Sequence, residues 1–290
     1  MVIINSNGLL EQFELHLKSS ALAPATVANY LADLRAFLRW SEETNDSDTT
    51  PFCLDATDLQ AFCTYLQETK GHAPSTVNRR IQALRKFYTL AVEEAWTDNN
   101  PAEEVSLLRE SASERSRSLT PGDIERLLAA VKQASSRRAA RDWAVIQLLL
   151  GAGLKLGELT ELRLADVHLE AERPYLLVAD KDGGPGRRVP LSDPVYDALA
   201  DYLENRQAEP GVRHLCVNRD GRPLSTRSIQ RLLRRYAKAA GLESLTTQAL
   251  RYVYARKVYE RSGDLETVAR RLGHRHLATT IRYLRSDTNE

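Results

Sequence analysis

Apolar residues recur along this chain at intervals of three and four, which predicts a predominantly helical protein. "GLLEQFELHL" sets Leu9, Leu10, Phe13 and Leu17 on one face. "APATVANYLADLRAFLRW" follows, and fifty residues later "APSTVNRRIQALRKFYTL" repeats it without gaps. Ala23/Ala73, Pro24/Pro74, Thr26/Thr76, Val27/Val77, Leu34/Leu84, Arg35/Arg85 and Phe37/Phe87 are identical pairs. In both copies a proline stands where a helix begins, and the Val, Leu and Phe positions make an apolar stripe. "LDATDLQAFCTYLQET" between them is also helical in pattern. Residues 1–102 therefore read as a compact helical domain. Pro101 ends the pattern and the polar "ESASERSRS" follows, so a linker is expected over 103–118.

The pattern resumes at "LTPGDIERLLAAV", with Thr120 as cap and Pro121 at the first helical position. "ARDWAVIQLLLGAG" reads as a buried helix with a glycine exit, and "GELTELRLADV" as another helix. "RPYLLVAD", "KDGGPG" and "RRVPLS" read as strand, Gly/Pro turn and strand. Helices return at "DPVYDALADYLENR" and "LSTRSIQRLLRRYAKAAG". The second of these is basic and amphipathic, capped by Ser225 or Thr226 and stopped by Gly241. "TTQALRYVYARKVYERSG", "DLETVARRLGH" and "LATTIRYLR" complete the chain. The expected fold class is mostly α with a small β-sheet, the second domain spanning 119–290.

Charge supports the division. Met1 to Glu110 carries 9 Lys/Arg against 16 Asp/Glu, and Ser111 to Glu290 carries 31 against 23. Fifteen of those basic residues follow Gly221, against six acidic ones. Contact with a polyanion is therefore expected to concentrate in the second domain, although a solvated basic surface would look the same. The overall net charge of +1 conceals this asymmetry. No run of eighteen apolar residues predicts a membrane span, and the N-terminus lacks the pattern of a secretory signal. Three cysteines without metal-ligand spacing read as free thiols of a cytosolic protein, Cys53 and Cys63 packing between helices.

Tyr283 is one of 11 tyrosines and, taken singly, reads as an ordinary aromatic. Its context changes that. "LGHRHLATTIRY" places His274 nine residues before it, "QALRY" supplies Arg251, the hairpin tip Lys181, and "GAGLKLGEL" Lys155. With these residues the chain resembles the tyrosine recombinases, which include phage integrases and Xer-type resolvases. Four boxes occur in the family's order. They are a "GL[R]xxEL" box at Gly153–Leu159, a "GKG…R.VPL" hairpin at Asp180–Leu191, an "HxLRH" box at Gln248–Tyr252, and "LGH" followed by "TTxxY" at Leu272–Tyr283. The first domain resembles the family's helical core-binding domain, including "STVNRRIQALRKFY" and "NNPAEEV".

The resemblance implies a site-specific DNA recombinase or integrase that forms a C-shaped clamp on duplex DNA. Tyr283 would attack a DNA phosphate, giving a 3′-phosphotyrosyl link and a free 5′-hydroxyl, and strand exchange would pass through a Holliday junction. Arg251 and His274 would neutralise the charge gathering at phosphorus, and Lys181 would protonate the leaving oxygen. No metal and no nucleotide cofactor would be required. The partners would be double-stranded target sites and three further copies of the chain, a tetramer on two duplexes, in the cytoplasm on the nucleoid. Roles in DNA integration and transposition are typical of the family. DNA contacts would come from Thr76, Asn78, Arg79, Arg80 and Lys86 on the second repeat helix, from Arg187 in the hairpin, and from Ser225, Arg227 and Arg231 on the basic helix.

The residues also allow plainer roles: Lys181 as an exposed turn lysine, His274 as a helix cap, and Arg251 paired with Glu243. The chain departs from the family pattern as well. Lys155 stands where the family has an arginine, losing the fork that grips two phosphate oxygens. Gln248 and Tyr252 replace the histidines of "HxLRH", and Gln248 cannot carry a proton. Seven residues follow Tyr283, fewer than the about 12–15 that an independent helix needs. These departures leave open a recombinase-like DNA-binding protein without strand transfer. A type IB topoisomerase shares the tyrosine chemistry but not the first domain.

Overall fold

The computed structural model describes residues 6–20, 22–44, 50–109, 119–134, 138–180 and 186–285. The chain divides into two compact units, Met1–Ala112 and Ser113–Glu290. Each has its own core.

The first unit is helical: α1 (Ser6–Ser19), α2 (Pro24–Thr44), α3 (Ala56–Thr64) and α4 (Pro74–Glu93). A π-helical turn, Tyr65–Thr69, continues α3. The α3 start is fixed by a reciprocal cap: Asp55 accepts from Thr57 and Asp58 backbone N–H groups, and Asp58 accepts from that of Asp55. The repeated stripes face inward as expected, with Val27, Leu34 and Phe37 of α2 and Val77, Leu84 and Phe87 of α4 all buried in one core. Phe37 meets Phe62 and Tyr88 edge-on. The core continues beyond residue 102. Val105 is buried in it, and the Asn78 amide both donates to and accepts from the backbone of Leu108 at 2.9 and 2.8 Å. Residues 103–108, expected as linker, are therefore packed on the first unit. Cys63 is buried as expected, whereas Cys53 is exposed beside the Thr50 hydroxyl.

The second unit holds α5 (Pro121–Lys132), α6 (Ala139–Gly151), α7 (Leu156–Glu161), β1 (Val167–His168), β2 (Tyr175–Val178), β3 (Arg187–Pro190), α8 (Asp193–Glu204), α9 (Thr226–Ala239), α10 (Thr247–Ser262), α11 (Leu265–Leu272) and α12 (Leu277–Arg285). The strands form one antiparallel sheet in the order β1-β2-β3, with Leu176 opposite Val189. Thr120 and Asp123 cap α5 reciprocally. Helix α6 is buried on almost every side, matching its continuous apolar run.

"GELTELRLADV" is not one helix. Helix α7 stops at Glu161 because the following backbone is paired elsewhere: Leu164 N–H bonds Arg213 carbonyl, and Leu215 N–H bonds Leu162 carbonyl. The segment then supplies β1. Among the glycines with φ near +60°, where only glycine is unstrained, two shape the site. Gly153 ends the α6 exit at φ 57°, pressed against the Tyr254 ring. Gly273 ends α11 at φ 67° and turns the chain toward His274.

Candidate active site

The site is built from four segments of the second unit. The α6 exit contributes Gly153 and Lys155, α7 contributes Glu158, α10 contributes Gln248, Arg251 and Tyr252, and the α11–α12 corner contributes His274, Thr280 and Tyr283.

Arg251 sits at the centre, only 3% exposed. It donates to the carbonyls of Gly153 and Leu272, each at 2.6 Å, and lies 3.6 Å from Glu158 Oε2. Its expected alternative partner Glu243 is not used in these bonds. Burial pulls its pKa below the ordinary value, with Tyr283 and Glu158 opposing.

Glu158 is the acidic hub. It takes two bonds from Arg187, at 3.0 and 2.8 Å, and the backbone N–H of Lys155 at 2.7 Å. Burial pushes its carboxyl up, but hydrogen bonds and charge from Arg187, then the Lys155 N–H and Arg251, outweigh it and hold it below the ordinary range. Sequence reasoning missed this role, although Glu158 stands in the "GL[R]xxEL" box at Gly153–Leu159. Lys155 thus offers Glu158 its backbone, not its ammonium. The Lys155 side chain is exposed, and its charge reaches His274.

Tyr283 is 8% exposed, with its hydroxyl shut off from solvent. Burial drives the phenol well above its ordinary pKa. The Arg251 charge and hydrogen bonding from Arg251 and Gln248 act the other way, while Tyr252 adds to the rise. Its ring lies 3.8 Å from that of Tyr252, centre to centre, and meets the His274 ring edge-on at 5.3 Å. The His274 imidazole contacts the Thr280 hydroxyl through Nδ1 at 3.0 Å and approaches Arg251 through Nε2 at 3.4 Å. Burial, then the charges of Arg251, Lys155 and Arg187, bring its pKa down to about 4. Tyr283, Arg251, His274 and Gln248 are therefore brought together, with Lys155 at the rim. Lys181 lies outside the described residues. Asp180 before it pairs with Arg275 at 3.8 Å, so the hairpin stem reaches the residue next to His274.

The expected DNA contacts divide. Arg227 and Arg231 are exposed on α9, and Ser225 caps that helix through the Ser228 N–H at 3.2 Å. Thr76 and Lys86 are half-buried on α4. Arg79 and Arg80 both pair with buried Asp33. Asn78 is committed to Leu108, as described above. Arg187, expected at DNA, instead spends its guanidinium on Glu158 and the Arg271 carbonyl. It holds β3 against α11, and its contact with Gly273 leaves no room for a side chain there. Among the described residues, no group of three or more His, Cys, Asp or Glu could hold a metal ion.

The family model "Phage integrase family" matches residues 117–290, and "Phage integrase, N-terminal SAM-like domain" matches residues 9–98. The chain belongs to the phage integrase family, the tyrosine recombinases. It is 30% identical to tyrosine recombinase XerD of Lacticaseibacillus casei, over 96% of this chain and 93% of that one. It is 31% identical to tyrosine recombinase XerC of Alcanivorax borkumensis, over 98% and 91%. In fold it resembles the Tn1549 transposon integrase in complex with circular intermediate DNA, with TM-score 0.76 and 18% identity, over 95% of this chain and 94% of that one. It also resembles XerH recombinase bound to palindromic difH substrate, with TM-score 0.73 and 21% identity, over 98% and 82%. No helix among the described residues is long and apolar enough to cross a membrane.

Proposed function

We propose that this chain is a site-specific DNA recombinase whose nucleophile is Tyr283. The observation that carries this is the meeting of the Tyr283 phenol with Arg251, Gln248 and His274 in one cluster of a tyrosine-recombinase fold. The phenol attacks a backbone phosphate, its oxygen bonds phosphorus, and the 5′-oxygen leaves. Arg251, Lys155, Gln248 and His274 stabilise the charge gathered at phosphorus. Lys181 protonates the departing oxygen. The phosphoester energy is kept in the tyrosyl link, so the 5′-hydroxyl of a second duplex can reverse the step without nucleotide hydrolysis. Two rounds exchange both strands through a Holliday junction, which requires four copies of the chain on two duplexes.

Both units grip the same duplex, the first through α4 and the second through α9, in a clamp whose connection is the chain that follows Leu108. Such a protein works on the nucleoid in the cytoplasm, integrating or transposing DNA. Limited proteolysis tests the clamp: DNA carrying a target site should protect the segment between the units, and equal cutting with and without DNA would contradict it. Binding should weaken steeply with salt, with a slope of log K against log salt of about 0.9 per phosphate neutralised.

A second reading, DNA binding without strand transfer, is favoured by Lys155 and Gln248 at two catalytic positions. Incubation with a nicked target duplex and denaturing electrophoresis separates the two, since only the first gives a covalent protein–DNA band.

A further inference from the structure

A second concentration of cationic groups lies apart from Arg251, in a cleft between the start of α6, the loop before α9 and the flank of α9. Arg138, Arg141, Arg219, Arg231 and Arg235 line it, with Asp220 the single acid among the described lining residues. The cleft encloses about 550 Å³, room for a group the size of a nucleotide unit. An adjoining cleft of similar size shares Arg138, Arg141 and Arg219, so the two make one elongated basic trough.

The arginines of this trough are held in place from behind. Asp142 is fully buried. Its Oδ1 accepts from Nε and Nη2 of Arg141 at 2.9 and 2.5 Å, and its Oδ2 accepts from Arg235 Nη2 and, at 2.8 Å, from the Tyr236 hydroxyl. Arg141 also donates to the Val217 carbonyl at 3.2 Å. Arg235 lies over the Tyr236 ring, 4.5 Å from its centre, and bonds the hydroxyl at 2.7 Å through the same Nη2. One carboxylate thus fixes two guanidiniums while balancing the charge of one. Arg235 keeps the donors on Nε and Nη1 unspent, on a side chain that is 56% exposed. A solvated basic surface has no need of a buried acid to aim its arginines. A guanidinium already fixed loses little freedom when it takes up an oxyanion.

We propose that this trough binds a backbone phosphate of the target duplex, Arg141 and Arg235 meeting its oxygens from the floor and Arg138 from the rim. The inference rests on the chain acting on DNA as argued above. A planar guanidinium matches two phosphate oxygens, which suits a phosphodiester. The elongated shape suits a polymer strand better than a free anion. Arg231 stands one turn before Arg235 on α9, so the trough continues onto the exposed basic face of that helix. This phosphate is not the one that Tyr283 attacks. Arg141 lies at the start of α6, and Gly153 and Lys155 follow its far end. Thirteen helical residues separate the two places by about 20 Å. The trough therefore anchors the duplex at a distance from the chemistry.

The test is the affinity of the full chain for fluorescent duplexes selected from a randomised pool by binding, measured across a range of salt. The double variant Arg138→Gln/Arg235→Gln should lower the slope of log K against log salt by about 0.9, the share of one phosphate. Arg235→Lys keeps the charge but loses the fork. It should keep the slope while weakening binding about tenfold at fixed salt, the size of one charge-assisted hydrogen bond. Phenylglyoxal labelling of the wild type, read by peptide mapping, supplies a second measurement should the Arg235 variants not fold. Duplex should shield Arg138 and Arg235 from the reagent, and inorganic phosphate at the same phosphate concentration should not.

An unchanged slope in the double variant would overturn the proposal. So would a loss of about 1.8, which would mean two independent phosphate contacts. Shielding by inorganic phosphate as complete as by duplex would make the trough a free-anion site and overturn it too, as would no shielding by either. A wild type whose affinity barely responds to salt would instead sink the DNA-binding reading itself.

Discussion

Arg251 donates to the carbonyl of Gly153 at 2.6 Å, which joins the exit of α6 to the second turn of α10 inside the candidate active site. The bond needs the left-handed turn at Gly153, and that turn needs a glycine. A Cβ there would lie 2.2 Å from the Tyr254 ring. Gly153→Ala should therefore cost about 2–4 kcal/mol, combining strained backbone with overpacking. Urea unfolding measures the loss. Cleavage should fall further than DNA affinity, because the displaced group is Arg251.

Glu158 is the shared counter-charge of two guanidiniums within the protein, those of Arg187 and Arg251. Glu158→Gln leaves them without their counter-charge and should destabilise the second unit by about 3 kcal/mol, as breaking a buried pair does. The pH dependence has a definite sign. A carboxyl whose folded pKa is depressed adds stability that is complete above its unfolded value, about 4.3. That stability is lost as pH falls through the lower folded value. Wild type should lose stability on acidification through this window, and Glu158→Gln should lose less. Denaturant melts at several pH values between 3 and 6 check both.

Lys155 keeps a positive charge at the rim but cannot grip two oxygens at once. Lys155→Arg should raise cleavage on the order of 10²-fold, the size of one transition-state contact. DNA affinity should change little, since ground-state binding is spread over many phosphates. Single-turnover cleavage beside a binding titration tests this. An unchanged rate in a wild type that is already fast would mean that lysine is well suited to this site.

Much of this architecture was legible in the sequence. The two matching helices, the hairpin and the catalytic boxes are local patterns, and residues such as Val27, Phe87 and Val189 fell inside because their periodicity required it. The misses have a different origin. Arg187, Asn78 and Arg80 are polar residues on faces that a sequence marks as outward. Their real partners, Glu158, Leu108 and Asp33, lie 29, 30 and 47 positions away, and only the fold brings them together. Glu158 and Thr280 were inside recognised boxes, but their effect on Arg251 and His274 is a matter of geometry. The end of α7 was misjudged because its backbone partners, Arg213 and Leu215, come from a distant loop.

Asn78 distinguishes the two descriptions of α4. A DNA-contacting side chain would weaken binding when removed. An amide bonded twice to Leu108 would instead loosen the packing of residues after Pro101. Asn78→Ala should cost about 1–2 kcal/mol of stability and leave the salt dependence of DNA binding unchanged. Chemical denaturation and a salt titration of affinity decide between them.

The central claim is that Tyr283 becomes covalently joined to DNA. The most direct measurement is denaturing electrophoresis of protein with nicked duplexes selected from a randomised pool, followed by peptide mapping of the adduct. Wild type should give a covalent band whose DNA is attached through Tyr283, and Tyr283→Phe should give none while binding the same duplexes. A covalent band that persists in Tyr283→Phe, or an adduct mapped to another residue, would contradict the account.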